Sequence, residues 1–526
     1  MLFELIFILA GVAIFIYSIE QLSDQLLRVS KERLKEILQR FTDKPLKALG
    51  TGLIVTAVIQ SSTATTSILV SLVNAGLISF EQSLGVIAGA HIGTTVTAQL
   101  VAFRFMGFAP IFILLGFLLS LFQRYNLLGK SIFLFGLVFF ALSIISEATA
   151  PFKESQELKD LLVSLDNPLY SIIAGIVLTL ILQSSSIVTA LAVLLTMEGL
   201  IPVSISIPLV LGSNIGTTST VLFVSKNMDI YAKRTAYAHF LFSTVGVILI
   251  YPFLTDFTYF VNSISLNEGS AVANAHTIFN VIMAVVFLFS LPVFIKLIEK
   301  LTPTTEKQIL FTPKHIKRIP RDTDLAIEKI KLELVNHLQI SKEMFTIATD
   351  MIANKDVSKL QTIEKYESLS DYLDSKITSA LVELSQRNLT ERQSSQIVLL
   401  SKISNEIERL ADTAHDYAYI TQKLNENNLE FSKDSIRDIL KIKFALDEIY
   451  DFIEFNFNSI NSSKLSKIIK MRKNVDKLIS SSHKLRIKLL SDEKIGTYST
   501  VLFIDAISSF EEAVSVLVRI SKNLKM

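Results

Sequence analysis

The sequence of 526 residues contains no cysteine. It therefore has no disulfide framework, no thiolate metal site and no cysteine nucleophile, which favours an intracellular or inner-membrane setting. It also lacks a Walker loop, a Gly-x-Ser-x-Gly elbow and a His-Glu-x-x-His motif. Without them, neither an ATP-driven pump nor a membrane protease has its machinery. We therefore predict that the protein is not an enzyme.

The sequence also lacks an excess of either charge, because its 51 Lys and Arg nearly balance its 49 Asp and Glu, which gives a net charge of +2. From this balance we expect no nucleic-acid partner. The charges are unevenly spread: residues 1–299 hold 16 Lys or Arg and 17 Asp or Glu, against 35 and 32 in residues 300–526. This shift predicts a membrane domain over 1–303 and a soluble domain over 304–526.

The apolar part of the chain repeats itself at a constant offset of 123 residues. The shared positions interrupt its apolar segments with glycine and hydroxyl residues, and they include Gly52 and Gly175, Gln60-Ser61-Ser62 and Gln183-Ser184-Ser185, Gly89 and Gly212, and Ile92-Gly93-Thr94-Thr95 and Ile215-Gly216-Thr217-Thr218. Interrupted apolar segments at corresponding positions are typical of the paired broken helices around a transporter's binding site. The repeat therefore predicts a carrier.

Seven apolar runs have the length of about 17–25 residues with which a helix spans a bilayer. They cover about 2–19, 82–103, 107–123, 130–146, 205–224, 236–254 and 272–298. The first lacks a basic start and a cleavage site, so we expect a retained span. Two further segments, 46–78 and 169–201, are too long for one span and too short for two. Because each carries Gln-Ser-Ser near its middle, we expect two re-entrant hairpins with their tips at membrane depth.

Basic residues in the loops predict the orientation. The segment Arg28 to Lys47, the loop with Lys226 and Lys233, and the stretch after the last span should be cytoplasmic. Seven crossings then place the N-terminus outside and the C-terminal domain in the cytoplasm. Three spans separate the hairpins, so we expect inverted repeats over about 1–123 and 125–254, with an extra span over 272–298. The predicted fold class is an all-α polytopic membrane protein followed by a cytoplasmic helical bundle.

The hairpin tips carry amide and hydroxyl side chains and no ionisable ones. No Asp, Glu, Lys, Arg or His occurs between Gly50 and Ile78 or between Leu169 and Met197. A half-helix that begins at each tip would direct its free N–H groups and its positive dipole end at an oxyanion. Because burying a divalent anion is costly, we expect co-bound sodium, held by carbonyl and hydroxyl oxygens, to offset its charge.

The doubled motifs resemble those of the type II sodium-phosphate cotransporters, in particular the bacterial branch with a cytoplasmic PhoU-like domain. They are Gln60-Ser61-Ser62-Thr63 and Gln183-Ser184-Ser185-Ser186, with Gly89-Ala90-His91-Ile92-Gly93-Thr94-Thr95 and Gly212-Ser213-Asn214-Ile215-Gly216-Thr217-Thr218. The resemblance implies sodium-coupled phosphate transport in a bacterial inner membrane, with inorganic phosphate, Na⁺ and lipid as partners and no cofactor beyond the coupling ion. It implies phosphate binding by Gln60, Ser61, Ser62, Thr63, Gln183, Ser184, Ser185 and Ser186. It implies sodium binding by Thr65, Thr66, His91, Thr94, Thr95, Thr189, Asn214, Thr217 and Thr218.

Other interpretations of these residues stay open. Ser and Thr in membrane helices also bond to the carbonyl four residues earlier, and glycine also serves close packing. His91 stands where the family usually has Asn, which leaves open both the sodium stoichiometry and whether this histidine faces a cavity or is structural. His239 and His276, each in an Ala-His-x-x-Phe motif, are interpreted as packing residues. The alternative functions are a carrier of another oxyanion or organic acid and a phosphate-sensing receptor.

Residues 304–526 carry apolar residues at three- and four-residue spacing, which predicts about six amphipathic helices in a bundle. The bundle resembles a PhoU-like domain, which implies sensing or regulation through phosphate status, a regulatory protein or a second copy of the chain. Glu408, Asp412 and Asp416 share one helix face and suit a hard divalent metal ion, with an ordinary solvated acidic stripe as the alternative.

Overall fold

The computed structural model describes residues 2–103, 105–154, 167–304, 308–491 and 497–525. Within these ranges the chain forms helices and no strand, which confirms the predicted all-α class. The chain divides into two compact units, Met1–Gln308 and Ile309–Met526.

The first unit contains thirteen α-helices in its described ranges. They are α1 Leu2–Arg40, α2 Pro45–Ile59, α3 Ser62–Asn74, α4 Phe80–Ala102, α5 Ala109–Ser120, α6 Asn126–Thr149, α7 Pro168–Leu182, α8 Ser185–Met197, α9 Val203–Gly216, α10 Thr218–Ser225, α11 Ile230–Ile250, α12 Leu254–Ser263 and α13 Glu268–Leu301. Six helical stretches in the described ranges are long and apolar enough to cross a membrane: Phe3–Arg28, Phe80–Ala102, Gln123–Phe152, Val203–Ser225, Ile230–Ser263 and Glu268–Leu301. The protein is therefore a multi-pass membrane protein.

The structure differs from the expected seven spans at 107–123. The helix there, α5, has 12 residues, which is about 18 Å and shorter than the roughly 30 Å hydrocarbon core. It begins after a 3₁₀ turn at Phe105–Phe108 and packs closely on α6, since a Cβ added at Gly116 would lie 2.2 Å from the backbone nitrogen of Phe133. The odd number of crossings between the repeats is not confirmed, and their inversion remains a prediction.

Both repeats contain a helix that breaks at its Gln-Ser-Ser cluster. α2 ends before Gln60, which adopts a left-handed φ of 61°, and α7 ends before Gln183, whose φ is 53°. The next residue in each repeat has an extended backbone and caps the following helix. Serine competes well for helix N-terminal N–H groups, so the break follows from local hydrogen bonding. The position of these breaks in a bilayer remains a prediction.

Glycine contacts hold the same two helices together in each repeat. A Cβ added at Gly89 of α4 would lie 2.0 Å from the carbonyl oxygen of Leu49 in α2. A Cβ added at Gly212 of α9 would lie 2.0 Å from the carbonyl oxygen of Ile172 in α7. Leu49 and Ile172 are themselves one repeat apart. Only glycine lets these backbones approach so closely, and the packing therefore repeats with the sequence.

The second unit contains six α-helices in its described ranges, in agreement with the expected bundle. They are α14 Thr323–Asn354, α15 Leu360–Ser385, α16 Glu391–Glu426, α17 Lys433–Asn456, α18 Ser462–Ser491 and α19 Thr497–Leu524. Aromatic residues fill its centre, where the ring centroids of Tyr417 and Phe510 are 4.9 Å apart. The three- and four-residue spacing of apolar side chains such as Ile403, Ile407 and Leu410 places them on the buried face of α16.

Candidate functional site

The two broken-helix tips hold their glutamines differently. The carbonyl oxygen of the Gln60 side chain accepts a hydrogen bond from Thr97 Oγ1 of α4 at 2.6 Å, and its Nε2 donates to the carbonyl of Ala57. Gln60 is thereby tied both to its own helix and to α4. Gln183 is exposed instead. The equivalent glutamines therefore have the same backbone conformation and different surroundings.

Ser61 and Ser184 cap the helices that follow the breaks. Ser61 Oγ accepts from the N–H of Ala64 at 3.2 Å, and Ser184 Oγ accepts from the N–H of Ile187 at 3.4 Å. A hydroxyl that accepts in this way keeps its own proton to donate. A donor at the start of a helix is suited to an oxyanion. The arrangement therefore fits the phosphate role expected of these two serines.

The remaining residues expected to bind phosphate follow these caps in the first turns of α3 and α8. Ser62, Ser185 and Ser186 are buried, whereas Thr63 is half-buried. The backbone N–H groups in the first turn of a helix have no hydrogen-bond partner within that helix. The structure thus gathers each predicted phosphate set at one helix start.

Most threonines expected to bind sodium donate to carbonyls of their own helix. The bonds run from Thr66 to Ser62 at 2.7 Å, Thr94 to Ala90 at 3.0 Å, Thr95 to Ile92 at 2.8 Å, Thr217 to Ser213 at 3.1 Å and Thr218 to Ile215 at 2.7 Å. This is the structural role that the sequence left open. Each oxygen nevertheless keeps lone pairs, so it can coordinate a cation although its proton is already used. Threonine oxygens that can coordinate a cation are thus available along the helices, and hydroxyl groups that can donate to an anion are available at the tips.

Thr65 and Thr189 bond to other side chains as well. Thr65 donates to the carbonyl of Ser61 at 3.0 Å and accepts from Thr56 Oγ1 at 3.0 Å. Thr189 Oγ1 lies 3.5 Å from Ser213 Oγ. Both side chains are buried. Thr65 thereby links α3 to α2, and Thr189 links α8 to α9.

Each of the paired positions His91 and Asn214 meets a histidine from another helix. The rings of His91 and His239 are 5.0 Å apart in an edge-on arrangement, and His91 Nε2 lies 3.3 Å from Ser243 Oγ. Asn214 Oδ1 lies 3.1 Å from His276 Nε2. The sequence predicts packing roles for His239 and His276, and it does not predict their contacts with His91 and Asn214. The Ala-His-x-x-Phe motif that the two histidines share is the sequence feature that indicates this pairing. Each histidine contacts the same position of the repeated motif, which is His91 in the first repeat and Asn214 in the second.

An acidic cluster lies in the second unit. One carboxylate oxygen from each of Glu367, Asp371 and Asp412 lies within 4.8 Å of the others, as a metal ion would need. Of the metal set predicted on α16, only Asp412 belongs to this group, and Glu408 and Asp416 do not. The two missed residues come from α15, so spacing along α16 alone does not reveal them. Burial, followed by repulsion from neighbouring carboxylates, raises the pKa of Asp412 and of Glu408.

We expect Asp412→Asn to stabilise the second unit at neutral pH in the absence of metal. When folding raises the pKa of a carboxyl group, the group stabilises the folded state at a pH below its pKa in the unfolded chain, and this stabilisation is lost as the pH rises through its pKa in the folded chain. Asparagine is neutral at every pH, so the variant does not lose this stability at neutral pH. If the cluster holds Mg²⁺, a concentration of about 100 times the Kd should stabilise the native protein by about 2.7 kcal/mol and leave the variant unchanged. Calorimetry of the full chain with EDTA or Mg²⁺ measures both effects, with exposed Asp505→Asn as control. Equal responses of all three proteins would contradict a metal site.

Comparisons with known proteins agree with this architecture. The Na⁺/Pi-cotransporter family profile matches residues 14–147 and 153–266, and the PhoU domain profile matches residues 335–421. The chain belongs to the Na⁺/Pi-cotransporter family, which consists of transporters and not of enzymes.

Three relatives cover different shares of the chain. "Uncharacterized protein YqeW" of Bacillus subtilis (strain 168) is 33% identical over 297 residues, 56% of this chain and 97% of the relative. "Putative inorganic phosphate export protein YjbB" of Escherichia coli (strain K12) is 25% identical over 492 residues, 92% of this chain and 88% of the relative. "Sodium-dependent phosphate transport protein 2C" of Mus musculus is 44% identical over 85 residues, 15% of this chain and 14% of the relative. No solved structure matches the chain.

Proposed function

We propose that the protein is a secondary transporter that couples inorganic phosphate to Na⁺ by alternating access in a bacterial inner membrane. The observation that carries this proposal is the pair of Gln-Ser-Ser breaks with matching left-handed glutamines and capping serines. Each break presents hydroxyl protons at a helix start, while nearby threonine oxygens keep free lone pairs. The family match supports phosphate as the anion and sodium as its counter-ion.

The proposed cycle needs the two tips to reach one central site from opposite membrane faces. We therefore retain the inverted repeats as part of the proposal. An outside N-terminus together with a cytoplasmic PhoU-like domain further requires α5, with the 3₁₀ turn Phe105–Phe108 before it, to be a seventh crossing. The different environments of Gln60 and Gln183 support the proposal, since one tip is bonded to α4 while the other is exposed. In this cycle the two tips exchange these environments.

Net export of phosphate is a second candidate for the direction in the cell. The relative whose match covers 92% of this chain is named a phosphate export protein. The same binding site serves either direction, because a secondary carrier follows the gradients of its ligands. The PhoU-like domain would then set the rate according to phosphate status or through contact with a partner protein.

Uptake into proteoliposomes tests the proposal. We expect an inward sodium gradient to drive accumulation of radiolabelled phosphate several-fold above an equal potassium gradient. Competition with sulfate, arsenate and a dicarboxylate distinguishes phosphate from other anions. If a different anion abolishes uptake at lower concentration than phosphate, the substrate assignment is wrong. Specific phosphate binding without net flux would instead support the receptor alternative.

A further inference from the structure

The segment that joins the two units has no regular secondary structure where it is described. Residues 302–304 and 308–322 form neither a helix nor a strand, and we call them the connector. Backbone polar groups outside helices and strands need other partners. Side chains supply them here, beginning at the end of α13, where Arg234 of α11 donates to the hydroxyl of Thr302 at 3.0 Å and to its carbonyl at 2.8 Å.

The connector is next fixed to the start of α4. Gln308 Oε1 accepts from the N–H of Phe80 at 3.1 Å, and Gln308 Nε2 donates to the carbonyl of Ile78 at 3.3 Å. One amide side chain thereby holds the backbone on both sides of Ser79, the N-cap of α4. It also pairs an N–H group of the first helical turn, which has no partner within the helix.

The second repeat is capped differently at the equivalent helix start. Pro202, the residue one repeat after Ser79, is the N-cap of α9 and makes no side-chain hydrogen bond there. Ser79 instead forms a capping box with Gln82, and Gln308 adds its two bonds at the same turn. The connector therefore acts on one member of the pair, the start of α4.

In the second unit, a buried carboxylate fixes the connector to α14. Glu333 is 0% exposed, and it accepts from the backbone N–H of Lys314 at 3.2 Å and of His315 at 2.5 Å. The next residue, Ile316, is buried in the apolar core of the bundle. A carboxylate that accepts two backbone N–H groups holds this part of the connector in one conformation.

Helix α15 and the residues after it fix the connector at two more points. The ring of Phe311 packs on that of Tyr372 in α15, with centroids 5.8 Å apart. Arg387, just beyond the end of α15, donates from Nη1 to the carbonyls of Pro320 at 2.7 Å and Arg321 at 3.1 Å. The connector is thus bonded to helices of the second unit along its length.

The connector leaves little loose chain after Gln308. Phe311 follows Gln308 by three residues, so their Cα atoms are at most about 11 Å apart. Lys314 follows by six residues, which gives at most about 22 Å. Because the bonds in the second unit restrict this short chain, they raise the effective concentration of the Gln308 amide at the start of α4.

We propose that Gln308 is a latch through which the second unit slows transport. In the proposed cycle, the tip at Gln60 leaves α4 when the two tips exchange environments. Helix α3, which begins at this tip, then has to move relative to α4, and Gln308 holds the turn that joins them. Its two bonds stabilise the conformation in which the tip is bonded to α4. This inference rests on the exchange of tips in the proposed function.

Gln308→Ala should raise the maximal rate of sodium-driven phosphate uptake by the full chain about three- to tenfold. A hydrogen bond changes an equilibrium by a factor of about two to ten, and the variant removes two that hold the resting conformation. Gln82→Ala is the matched control, because Gln82 Oε1 accepts from the N–H of Ser79 at 2.9 Å in the same turn without involving the connector. Its uptake rate should stay near the native value.

The opposite manipulation closes the latch covalently. The native chain has no cysteine, so Glu81→Cys and Gln308→Cys can be combined and joined by a short bifunctional thiol reagent. Joining them should lower uptake to the native rate or below, and cleaving the link should raise it again. The two single variants should not respond to the reagent.

A second readout does not depend on transport. In the full chain in detergent, Gln308→Ala should speed hydrogen exchange of the amides of residues 78–82 several-fold. Arg387→Ala, which frees the connector in the second unit, should speed the same amides and raise uptake, in both cases by less. It should add nothing in the double variant with Gln308→Ala, because both act through one latch. Gln361→Ala, at an exposed position of α15, should change neither readout.

The outcomes separate the latch from the proposed function. If the native protein transports phosphate with sodium and Gln308→Ala transports at the same rate, the latch is wrong and the proposed function stands. Equal acceleration by Gln82→Ala would also reject it, since any loosening of the start of α4 would then suffice. If the native protein shows no sodium-driven uptake, the proposed function fails and the slowing of transport fails with it, whereas hydrogen exchange still shows whether Gln308 holds the turn.

Discussion

Gly89→Ala and Gly212→Ala should each prevent the first unit from folding stably. An added methyl carbon would lie 2.0 Å from the carbonyl oxygen of Leu49 or Ile172, well inside any real contact distance. The obstructing atom belongs to a helix backbone, so no rotamer change relieves the clash and the two helices must separate. We expect a destabilisation at or above the roughly 1–3 kcal/mol typical of overpacking. Size-exclusion profiles and thermal unfolding in detergent measure it.

Gly50→Ala is the matched control for these two variants. Gly50 lies in α2, and a Cβ there would meet nothing within 4 Å. Because alanine favours a helix over glycine, this variant should be unchanged or more stable by up to about 1 kcal/mol. Native stability of Gly212→Ala would show that the helices of the second repeat are not packed as the structure has them.

Gln60→Ala and Gln183→Ala should each reduce the apparent phosphate affinity about ten- to a hundredfold. Loss of a hydrogen bond to a charged ligand costs roughly 1.5–3 kcal/mol. Both glutamines have a left-handed backbone, which alanine adopts at a cost and glycine does not. Gln60→Gly and Gln183→Gly therefore test the side chain without added backbone strain. Phosphate dependence of sodium-driven uptake gives the affinities, and native values in both glycine variants would leave the tips a purely structural role.

The structure predicts an additional difference between the two tips. Thr97→Val removes the hydrogen bond to Gln60 and keeps the amide itself. This variant should lower affinity less than Gln60→Ala if the glutamine contacts phosphate directly. If Thr97→Val and Gln60→Ala are equally impaired, the glutamine acts by tying α2 to α4. The residue one repeat after Thr97 is Thr220. Thr220→Val therefore tests the equivalent hydrogen bond to Gln183 in the state of the cycle in which the second tip, instead of the first, is the bonded one.

Some features could be predicted from the sequence because their causes are local. The helix breaks at Gln60 and Gln183 follow from a serine that caps the next helix, an interaction over three residues. The spacing of apolar residues was enough to predict the helical bundle of the second unit. The span predicted at 107–123 is not confirmed, because apolar composition does not say where a helix starts and ends, and the helix there covers only Ala109–Ser120.

Features that depend on distant residues were not accessible in this way. On α16, spacing along one helix suggested Glu408, Asp412 and Asp416, whereas the structure groups Asp412 with two carboxylates of α15. The spacing of residues along a helix shows which charges share a face, but it does not show which other helix packs against that face.

The sequence by itself determined the family, the all-α class and the two broken helices, because repeated motifs and short-range hydrogen bonds are written in consecutive residues. Only the tertiary structure decided that His276 meets Asn214, that His239 meets His91 and that the hydroxyl of Thr179 stays unpaired. His276 and Asn214 are 62 residues apart, and their contact depends on the packing of α13 against α9. Side-chain spacing along one helix cannot specify which other helix it faces, since that choice follows from the close packing of the whole unit.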